Sequence, residues 1–144
     1  MQHSIITLAL LFTSFLFAQT SNETTTINGQ TVTVSLINAS SDAGTINYAF
    51  YDKDSFMKSA PLFTRVGKII EGKSTVVFEN VPSGEYAIIC YHDANSNERM
   101  DFMDNGMPQE DFGTSNNALN FGPPNYEDSK FEVKQEALTL EIKF

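Results

Sequence analysis

A period-two alternation of apolar and polar residues recurs along this chain and favours strands over helices. Residues 31–38 (TVTVSLIN) begin the pattern, and residues 45–52 and 137–144 repeat it. Successive side chains of a strand point to opposite faces, so alternation indicates a strand with one buried face. An amphipathic helix would repeat its apolar positions every three or four residues instead. The chain is therefore predicted to be all-β.

Short turn signals separate the alternating segments. Residues 40–44 (SSDAG), 71–73 (EGK) and 81–84 (VPSG) are rich in the residues that form tight turns. About seven short strands result, and no segment has the pattern of a long helix. A chain of 144 residues is expected to form one domain. We predict a single antiparallel β-sandwich over residues 31–144.

The most apolar strand candidate is EYAIICYH, residues 85–92. Both of its faces are apolar, which predicts a central strand that is covered on each side. It contains Cys90, the one cysteine of the chain, so no internal disulfide can form. The apolar neighbours of Cys90 predict a buried thiol that does not act as a nucleophile.

A long segment without a strand pattern follows the central strand. It spans 37 residues, from His92 to Asp128, and loops of this length in compact domains are usually functional or disordered. Its aromatic residues and methionines favour an ordered loop in which these side chains pack. Ordering costs roughly 1–2 kcal/mol per backbone residue. We therefore expect a specific interaction to organise residues 92–128.

Oxygen-bearing side chains stand at regular intervals at the start of this loop. Counted from Asp93 as position one, they match the spacing of the twelve-residue calcium loop of EF-hand type. A hard cation needs six to eight oxygens, and a chain that curls around it turns every second side chain inward. The sequence thus predicts calcium as a bound cofactor. The predicted ligands are Asp93, Asn95, Asn97, the backbone carbonyl of Arg99, Asp101 and Asp104.

Two positions depart from that calcium loop, and a second interpretation stays open. Glu98 stands at position six in place of glycine, and a left-handed non-glycine residue costs about 1 kcal/mol. Asp104 stands at position twelve in place of the longer glutamate. Asp and Asn also form Asx turns, so the same spacing fits a turn-rich linker without a metal. Zinc is disfavoured because His92 supplies a single imidazole.

Several joined motifs give the chain a resemblance to a known family. It resembles the domain-of-unknown-function 2141 family, a group of small exported bacterial proteins, over about residues 31–144. The resemblance implies a small exported domain and no established activity, and the family pattern tends to have Gly where Glu98 stands. One segment, Phe78 to Tyr86, also resembles the strand entry of transthyretin-like sandwiches, which supports a transthyretin-like or Ig-like fold. The motifs are FENVPSGEYA (78–87), HDANSN (92–97), GMPQE (106–110), FGTSNNA (112–118) and GPPNYED (122–128).

The first residues are typical of an export signal. Residues 1–18 contain no Asp, Glu, Lys or Arg, and residues 5–17 form an apolar run. That run is too short to cross a bilayer as a helix but has the length of a signal-peptide core. We predict a signal peptide over 1–18 and a flexible lead-in over 19–30. The mature protein is expected in the periplasm, outside the cell or on its surface, without a transmembrane segment.

The charge of the chain limits its partners. The formal net charge is −9, and residues 93–111 contain six acidic residues against Arg99 alone. Such a surface repels nucleic acid and anionic lipid, so no nucleic-acid partner is expected. A glycan or a peptide remains as the expected ligand class.

No set of nucleophile and base with a recognised spacing is present. The chain lacks a G-x-S-x-G elbow, and a lone histidine at a strand end is more often structural. We therefore predict a non-catalytic binding or accessory module of the cell envelope with a calcium-stabilised loop. One alternative is a metal-dependent hydrolase that uses His92 with the acidic loop. Another is a purely structural envelope protein.

Overall fold

A computed structural model of the chain describes residues 29–118 and 122–144. Within them the fold is nearly all β, as predicted. The predicted signal peptide and all but the last two residues of the predicted lead-in lie outside the described residues. A 3-10 helix, Ser115–Asn117, and a one-turn α-helix, α1, Tyr126–Ser129, accompany the strands. The strands are β1 Gln30–Leu36, β2 Thr45–Tyr51, β3 Phe63–Lys68, β4 Ser74–Val81, β5 Gly84–Asp93, β6 Phe112–Thr114, β7 Lys130–Val133 and β8 Leu138–Ile142.

The strands form two sheets. The first sheet has three strands in the order β4-β1-β8, and the second has the order β3-β2-β5-β6, with β7 also paired to β5. The described residues form eight strands, close to the seven or so predicted, and the additional strand β6 has three residues and is too short to show an alternation. The pairings are antiparallel as predicted, apart from the parallel β1–β8 pair.

The inward faces of the two sheets form the core. Alternate residues of β1, Val32, Val34 and Leu36, are fully buried, which confirms the alternation predicted for this strand. Phe50 of β2 lies at the centre of an aromatic cluster, where removal from water provides the main stabilisation. Its ring centroid lies 5.0–5.7 Å from those of Phe63, Phe78, Tyr86 and Phe131.

The central strand of the second sheet is β5, as predicted. It pairs with β2 on one side and with β6 and β7 on the other. Ile88 and Cys90 face the core, and Ala87 is buried on the outer face. Burial raises the pKa of the Cys90 thiol to about 12, which confirms a buried thiol that stays protonated at neutral pH.

The segment from His92 to Asp128 is more structured than predicted. The end of β5, strand β6, the 3-10 helix and most of α1 all fall within it. The expectation that its large side chains pack was correct for Tyr126, whose ring centroid lies 5.7 Å from that of Phe56. It was wrong for Phe102, which is 57% exposed. Residue 102 lies in a short hairpin, bridged to Pro108, in which more than half of its side chain stays in contact with solvent.

Candidate functional site

The loop that follows β5 begins at a buried carboxylate. Asp93 is the last residue of β5 and is 1% exposed. Its Oδ1 accepts a hydrogen bond from the Asn97 backbone N–H at 3.0 Å, and its Oδ2 accepts one from the Glu98 N–H at 2.8 Å. The Asn47 amide of β2 also donates to Oδ2, at 3.5 Å. The chain therefore curls around the Asp93 carboxylate, and the backbone N–H groups of residues 97 and 98 point at it.

Three further predicted ligands, Asn95, Asn97 and Asp101, are connected by side-chain hydrogen bonds. The side-chain Nδ2 groups of Asn95 and Asn97 both donate to Oδ2 of Asp101, each at 2.7 Å. Their Oδ1 atoms accept backbone N–H groups two residues further on, at 3.1 and 3.0 Å, in Asx turns. Positions three, five and nine of the predicted calcium loop are thus brought together. The two amides supply partial positive charge to Asp101 where a cation would supply a full one.

The backbone adopts the curvature that a calcium loop requires. Glu98 has a left-handed φ of 63° at position six, where the EF-hand loop has glycine for its sharp turn. Ser96 is also left-handed, with φ of 57°. Each such non-glycine residue costs about 1 kcal/mol. The hydrogen bonds that the Asp93 carboxylate accepts offset part of this strain.

The Asp101 carboxylate is held in its charged form. The hydrogen bond from Asn95 is the main cause that lowers its pKa, and Asn97 and Arg99 add to the effect. Arg99 Nε lies 3.3 Å from Oδ1 of Asp101. Arg99 therefore contacts the site through its side chain, whereas the sequence predicted a role for its backbone carbonyl.

Asp104, the predicted ligand at position twelve, is exposed in a different local structure from the others. It stands in the turn of a small hairpin in which Phe102 bridges to Pro108. The Met103 N–H donates to the Met107 carbonyl at 2.8 Å. Asp104 is exposed, and its side chain makes no hydrogen bond within residues 29–118 and 122–144. The structure therefore joins Asp93, Asn95, Asn97 and Asp101 by hydrogen bonds, and no hydrogen bond links Asp104 to them among the described residues.

Glu110 joins the site in a way that the spacing did not predict. Its Oε2 accepts the backbone N–H of Asp101 at 3.2 Å. Its Oε1 is buried and has no hydrogen-bond partner in the part of the chain that the structure describes. The carboxylate lies seventeen positions after Asp93, so a twelve-residue loop pattern could not include it. The sequence feature that could have indicated Glu110 is its position in the acidic stretch, immediately after the GMPQ turn.

The carboxylates of this region also act on Tyr91. Burial is the main cause that raises the pKa of its phenol. The negative charges of Asp93, Glu110, Glu98 and Asp101 raise that pKa further. The four carboxylates therefore surround the same part of β5 and create a negative potential there.

An open groove lies beside the loop on the outer face of the second sheet. Its volume is about 490 Å³, and we call it the Tyr91 groove. Hydroxyl, amide and carboxylate groups line it together with two tyrosines, Tyr48 and Tyr91, of which Tyr48 is buried. The residues that line its floor and wall include Thr45, Asn47, Thr64, Tyr91, Asp93 and Glu98.

His92, the histidine of the hydrolase alternative, and Ser115, which follows it in sequence, each make contacts within the fold. His92 is buried, and its Nε2 donates to the Ala43 carbonyl at 2.7 Å, while its Nδ1 lies 3.4 Å from Ser40 Oγ. Ser115 is buried elsewhere, where its hydroxyl contacts the Ile88 N–H at 2.9 Å and the Ser129 carbonyl. His92 therefore holds the turn before β2, and the serine at position 115 is engaged in backbone contacts.

The described residues also bear on metal binding and membrane insertion. Among residues 29–118 and 122–144, no group of three or more His, Cys, Asp or Glu side chains is arranged to hold a metal ion. Asp93, Asp101 and Glu110 are therefore not arranged as a three-carboxylate metal site here, and an ion would have to draw them together with the amide oxygens of Asn95 and Asn97. The calcium site stays a prediction. None of the helices in the described residues has the length and apolar character needed to cross a bilayer.

Comparison with known proteins gives one match. A family model described as an uncharacterised protein conserved in bacteria (DUF2141) matches residues 32–141. Neither the curated proteins nor the solved structures give a match. The matched range covers the two sheets and the whole loop.

Proposed function

This chain belongs to the DUF2141 family of uncharacterised bacterial proteins, and from that premise we propose that it is an exported, non-catalytic binding module of the cell envelope. Its loop of residues 93–110 binds calcium, and the bound ion stabilises the loop. The charge-free, apolar pattern of residues 1–18 supports export. The ligand of the module is an envelope glycan or a peptide.

The convergence of Asn95, Asn97 and Asp101 is the observation on which the calcium proposal rests. Their amide and carboxylate groups meet within 2.7 Å contacts. Asp93 lies against the same turn and accepts the Asn97 N–H. Carbonyl and carboxylate oxygens are the ligands that calcium prefers. Calcium would supply positive charge to the carboxylates of Asp93 and Asp101, and Asn95 and Asn97 would turn their amide oxygens toward the ion in place of the Nδ2 groups that now donate to Asp101.

Glu110 extends the proposed ligand set. A buried oxygen without a hydrogen-bond partner costs about 1–3 kcal/mol, and Oε1 of Glu110 is such an atom among the described residues. A cation next to it would remove that cost. We therefore assign to Glu110 the carboxylate role that the spacing gave to Asp104. Affinity in the range of roughly 10⁻⁴–10⁻³ M is expected, as in extracellular calcium modules.

Thermal unfolding with and without calcium tests this proposal. A ligand that binds only the folded state stabilises it, by about 2.7 kcal/mol at one hundred times its Kd. For a domain of this size the melting temperature should rise by roughly 10 °C. We expect the variants Asp93→Asn, Asp101→Asn and Glu110→Gln to lose most of that rise.

Asp111→Asn is the matched control for these variants. Asp111 is exposed in the same acidic stretch, so its replacement removes one charge without removing a proposed ligand. It should keep the calcium response of the parent. A response that is equal in all four variants, or a parent that does not respond to millimolar calcium, would refute the calcium site.

The Tyr91 groove supports the binding role. Sugars and peptides are bound by aromatic faces together with hydroxyl and amide groups, and Tyr91, Asn47 and Thr64 provide these in one groove. A glycan and peptide binding screen with Tyr91→Ala as the comparison tests this part. A screen without hits would favour a purely structural envelope protein.

The non-catalytic assignment is tested with a panel of ester, phosphate and glycoside substrates. The engagement of both His92 ring nitrogens with residues 40 and 43 supports a structural role for this side chain. We expect no turnover with or without calcium. Clear turnover that His92→Gln abolishes, in a variant with unchanged circular dichroism, would support the metal-dependent hydrolase instead.

A further inference from the structure

A hairpin within the acidic stretch exposes an unusual amount of apolar surface. We call residues 102–108 the 102–108 hairpin. Phe102 is 57% exposed, Met103 47% and Met107 59%. Single exposed apolar residues are common on soluble proteins, but a contiguous group usually indicates an interaction site.

The hairpin is formed by specific backbone contacts. The Met103 N–H donates to the Met107 carbonyl at 2.8 Å, and the Gly106 N–H donates to the Met103 carbonyl at 2.8 Å. Gly106 has a left-handed φ of 80°, as expected for a three-residue hairpin loop that ends in glycine. The side chain of Asn105 also accepts the Met107 N–H at 3.1 Å. The exposed side chains therefore stand on a formed element.

Both faces of this hairpin are apolar. Successive side chains of an extended strand point to opposite faces, so Phe102 and Met103 project in opposite directions. Met107 lies opposite Met103 across the hairpin. The hairpin therefore presents apolar surface in two directions. Methionine side chains adapt their shape to different partners, which suits a binding element.

Negative charge surrounds the apolar side chains. Asp104 is in the turn of the hairpin and is exposed, and Asp111 is exposed just beyond its end. Asp101 and Glu110 flank the two strands. The one basic residue between positions 93 and 111, Arg99, is paired with Asp101 at 3.3 Å. The rim of the hairpin is therefore acidic.

The acidic rim selects among occupants by charge. A second copy of this chain would bring the same negative rim to the hairpin and be repelled, and an anionic membrane would be repelled for the same reason. A partner surface with an apolar stripe and Lys or Arg on its flanks is complementary to the hairpin. Its stripe matches the exposed apolar side chains, and its basic residues match the acidic rim.

We propose that the 102–108 hairpin is a docking element for a protein partner that presents a basic amphipathic helix. Met103 and Met107, which lie opposite each other across the hairpin, contact the apolar stripe of that helix, and Phe102 adds apolar surface on the other face. The exposed carboxylates of Asp104 and Asp111 pair with its flanking basic residues. This interaction uses none of the proposed calcium ligands, and it adds a protein partner to the envelope ligand proposed above.

A synthetic helical peptide of Leu and Lys, with all its leucines on one face, serves as the probe. Its binding to the full chain is measured by fluorescence anisotropy in EDTA, so the outcome does not depend on calcium. We expect Phe102→Ser/Met103→Ser/Met107→Ser to weaken binding at least tenfold. The single variant Met103→Ser, with a several-fold loss expected, provides the same test if the triple variant does not fold.

Matched control variants distinguish specific binding of the peptide at the hairpin from nonspecific hydrophobic binding. Val66 and Ile70 are 63% and 70% exposed elsewhere on the domain, and Val66→Ser/Ile70→Ser should bind within twofold of the parent. Asp104→Asn/Asp111→Asn should weaken binding and reduce its salt dependence, whereas Glu79→Gln/Glu136→Gln should not.

Two outcomes would overturn the proposal. One is equal affinity of the parent and the hairpin variants for the peptide. The other is binding to zwitterionic phosphatidylcholine vesicles, lost in the hairpin variants, without binding to the peptide. That result would assign the hairpin to a membrane surface.

Discussion

At the scale of single residues, Asp101 is the side chain at which the polar contacts of the loop meet. Its Oδ2 accepts two amide N–H groups, and its Oδ1 lies 3.3 Å from Arg99. Its backbone N–H also donates to Glu110. The protonation state of this one carboxyl therefore decides whether the loop keeps its arrangement.

The pH dependence of the loop follows from the lowered pKa of Asp101. Hydrogen bonds, that of Asn95 first, favour the charged form, so the pKa is lower in the folded state than the value of about 3.9 in an unfolded chain. Because folding lowers the pKa of Asp101, its contribution to stability is fully present above the pKa that it has in the unfolded chain. This contribution is lost as the pH falls through the pKa of Asp101 in the folded state. We expect the amide NMR signals of Asn95 and Asn97 to move in that acidic range.

Asp101→Asn should remove this transition, while Asp111→Asn should leave it in place. The side-chain carboxyl signal of Asp101, followed by NMR titration, gives its pKa directly. A pKa at or above the ordinary aspartate value would contradict the hydrogen-bonded arrangement.

At the scale of structural elements, two glycines with left-handed φ differ in their surroundings. Gly44, in the turn before β2, has φ of 73°, and a Cβ added there would lie 1.9 Å from the Asp93 carbonyl oxygen. Gly106, in the 102–108 hairpin, has φ of 80°, and a Cβ there would meet nothing within 4 Å. The turn before β2 therefore supports the first residue of the proposed calcium site.

Alanine substitution at Gly44 and at Gly106 should separate the effect of backbone strain from the effect of a steric clash with neighbouring atoms. Gly106→Ala should lower the free energy of unfolding by about 1 kcal/mol, the cost of placing alanine in the left-handed conformation. Gly44→Ala must in addition move the backbone at Asp93, so a loss of several kcal/mol is expected. Urea denaturation of both variants measures the difference. Equal losses would show that the turn before β2 is not in close contact with the start of the loop.

At the scale of the whole molecule, the two sheets are joined through one aromatic cluster. Phe50 of the second sheet contacts Phe78 of the first, with ring centroids 5.0 Å apart. Both side chains are buried. Unfolding of one sheet would expose the inner face of the other, so the domain is expected to unfold cooperatively.

A matched pair of phenylalanines tests where the stability resides. Phe50→Ala removes a fully buried ring and should cost about 3–5 kcal/mol of unfolding free energy. Phe102→Ala removes a ring that is 57% exposed and should change it by less than about 0.5 kcal/mol. Chemical denaturation with two spectroscopic probes gives both values. A large loss for Phe102→Ala would mean that the hairpin packs against the domain and is not free to bind a partner.

The strands and their buried faces could be predicted from the sequence because alternation is a local property. The period-two pattern predicted which residues of β1 and β2 face the core, and the apolar residues on both faces of β5 predicted its central place. The sharp turn at position 98 could also be anticipated, since the spacing of Asp93, Asn95 and Asn97 is itself local. Cys90 was correctly predicted to be buried for the same reason.

The 102–108 hairpin had a local signal that the ligand spacing obscured. Asn105-Gly106 between apolar residues is a strong hairpin signal. Asp104 was instead counted as a ligand because it falls at position twelve. Two patterns overlapped on the same residues, and the sequence by itself did not rank them.

The sequence by itself thus determined the strand identities, the inward faces and the oxygen-rich curl after β5. Only the tertiary structure decided that β8 lies parallel to β1, that Glu110 reaches the backbone of Asp101, and that Phe102 faces solvent. The first group depends on neighbours a few residues apart, which the covalent chain fixes. The second depends on contacts between segments distant in sequence, and their free energies become decisive only when the whole chain is folded.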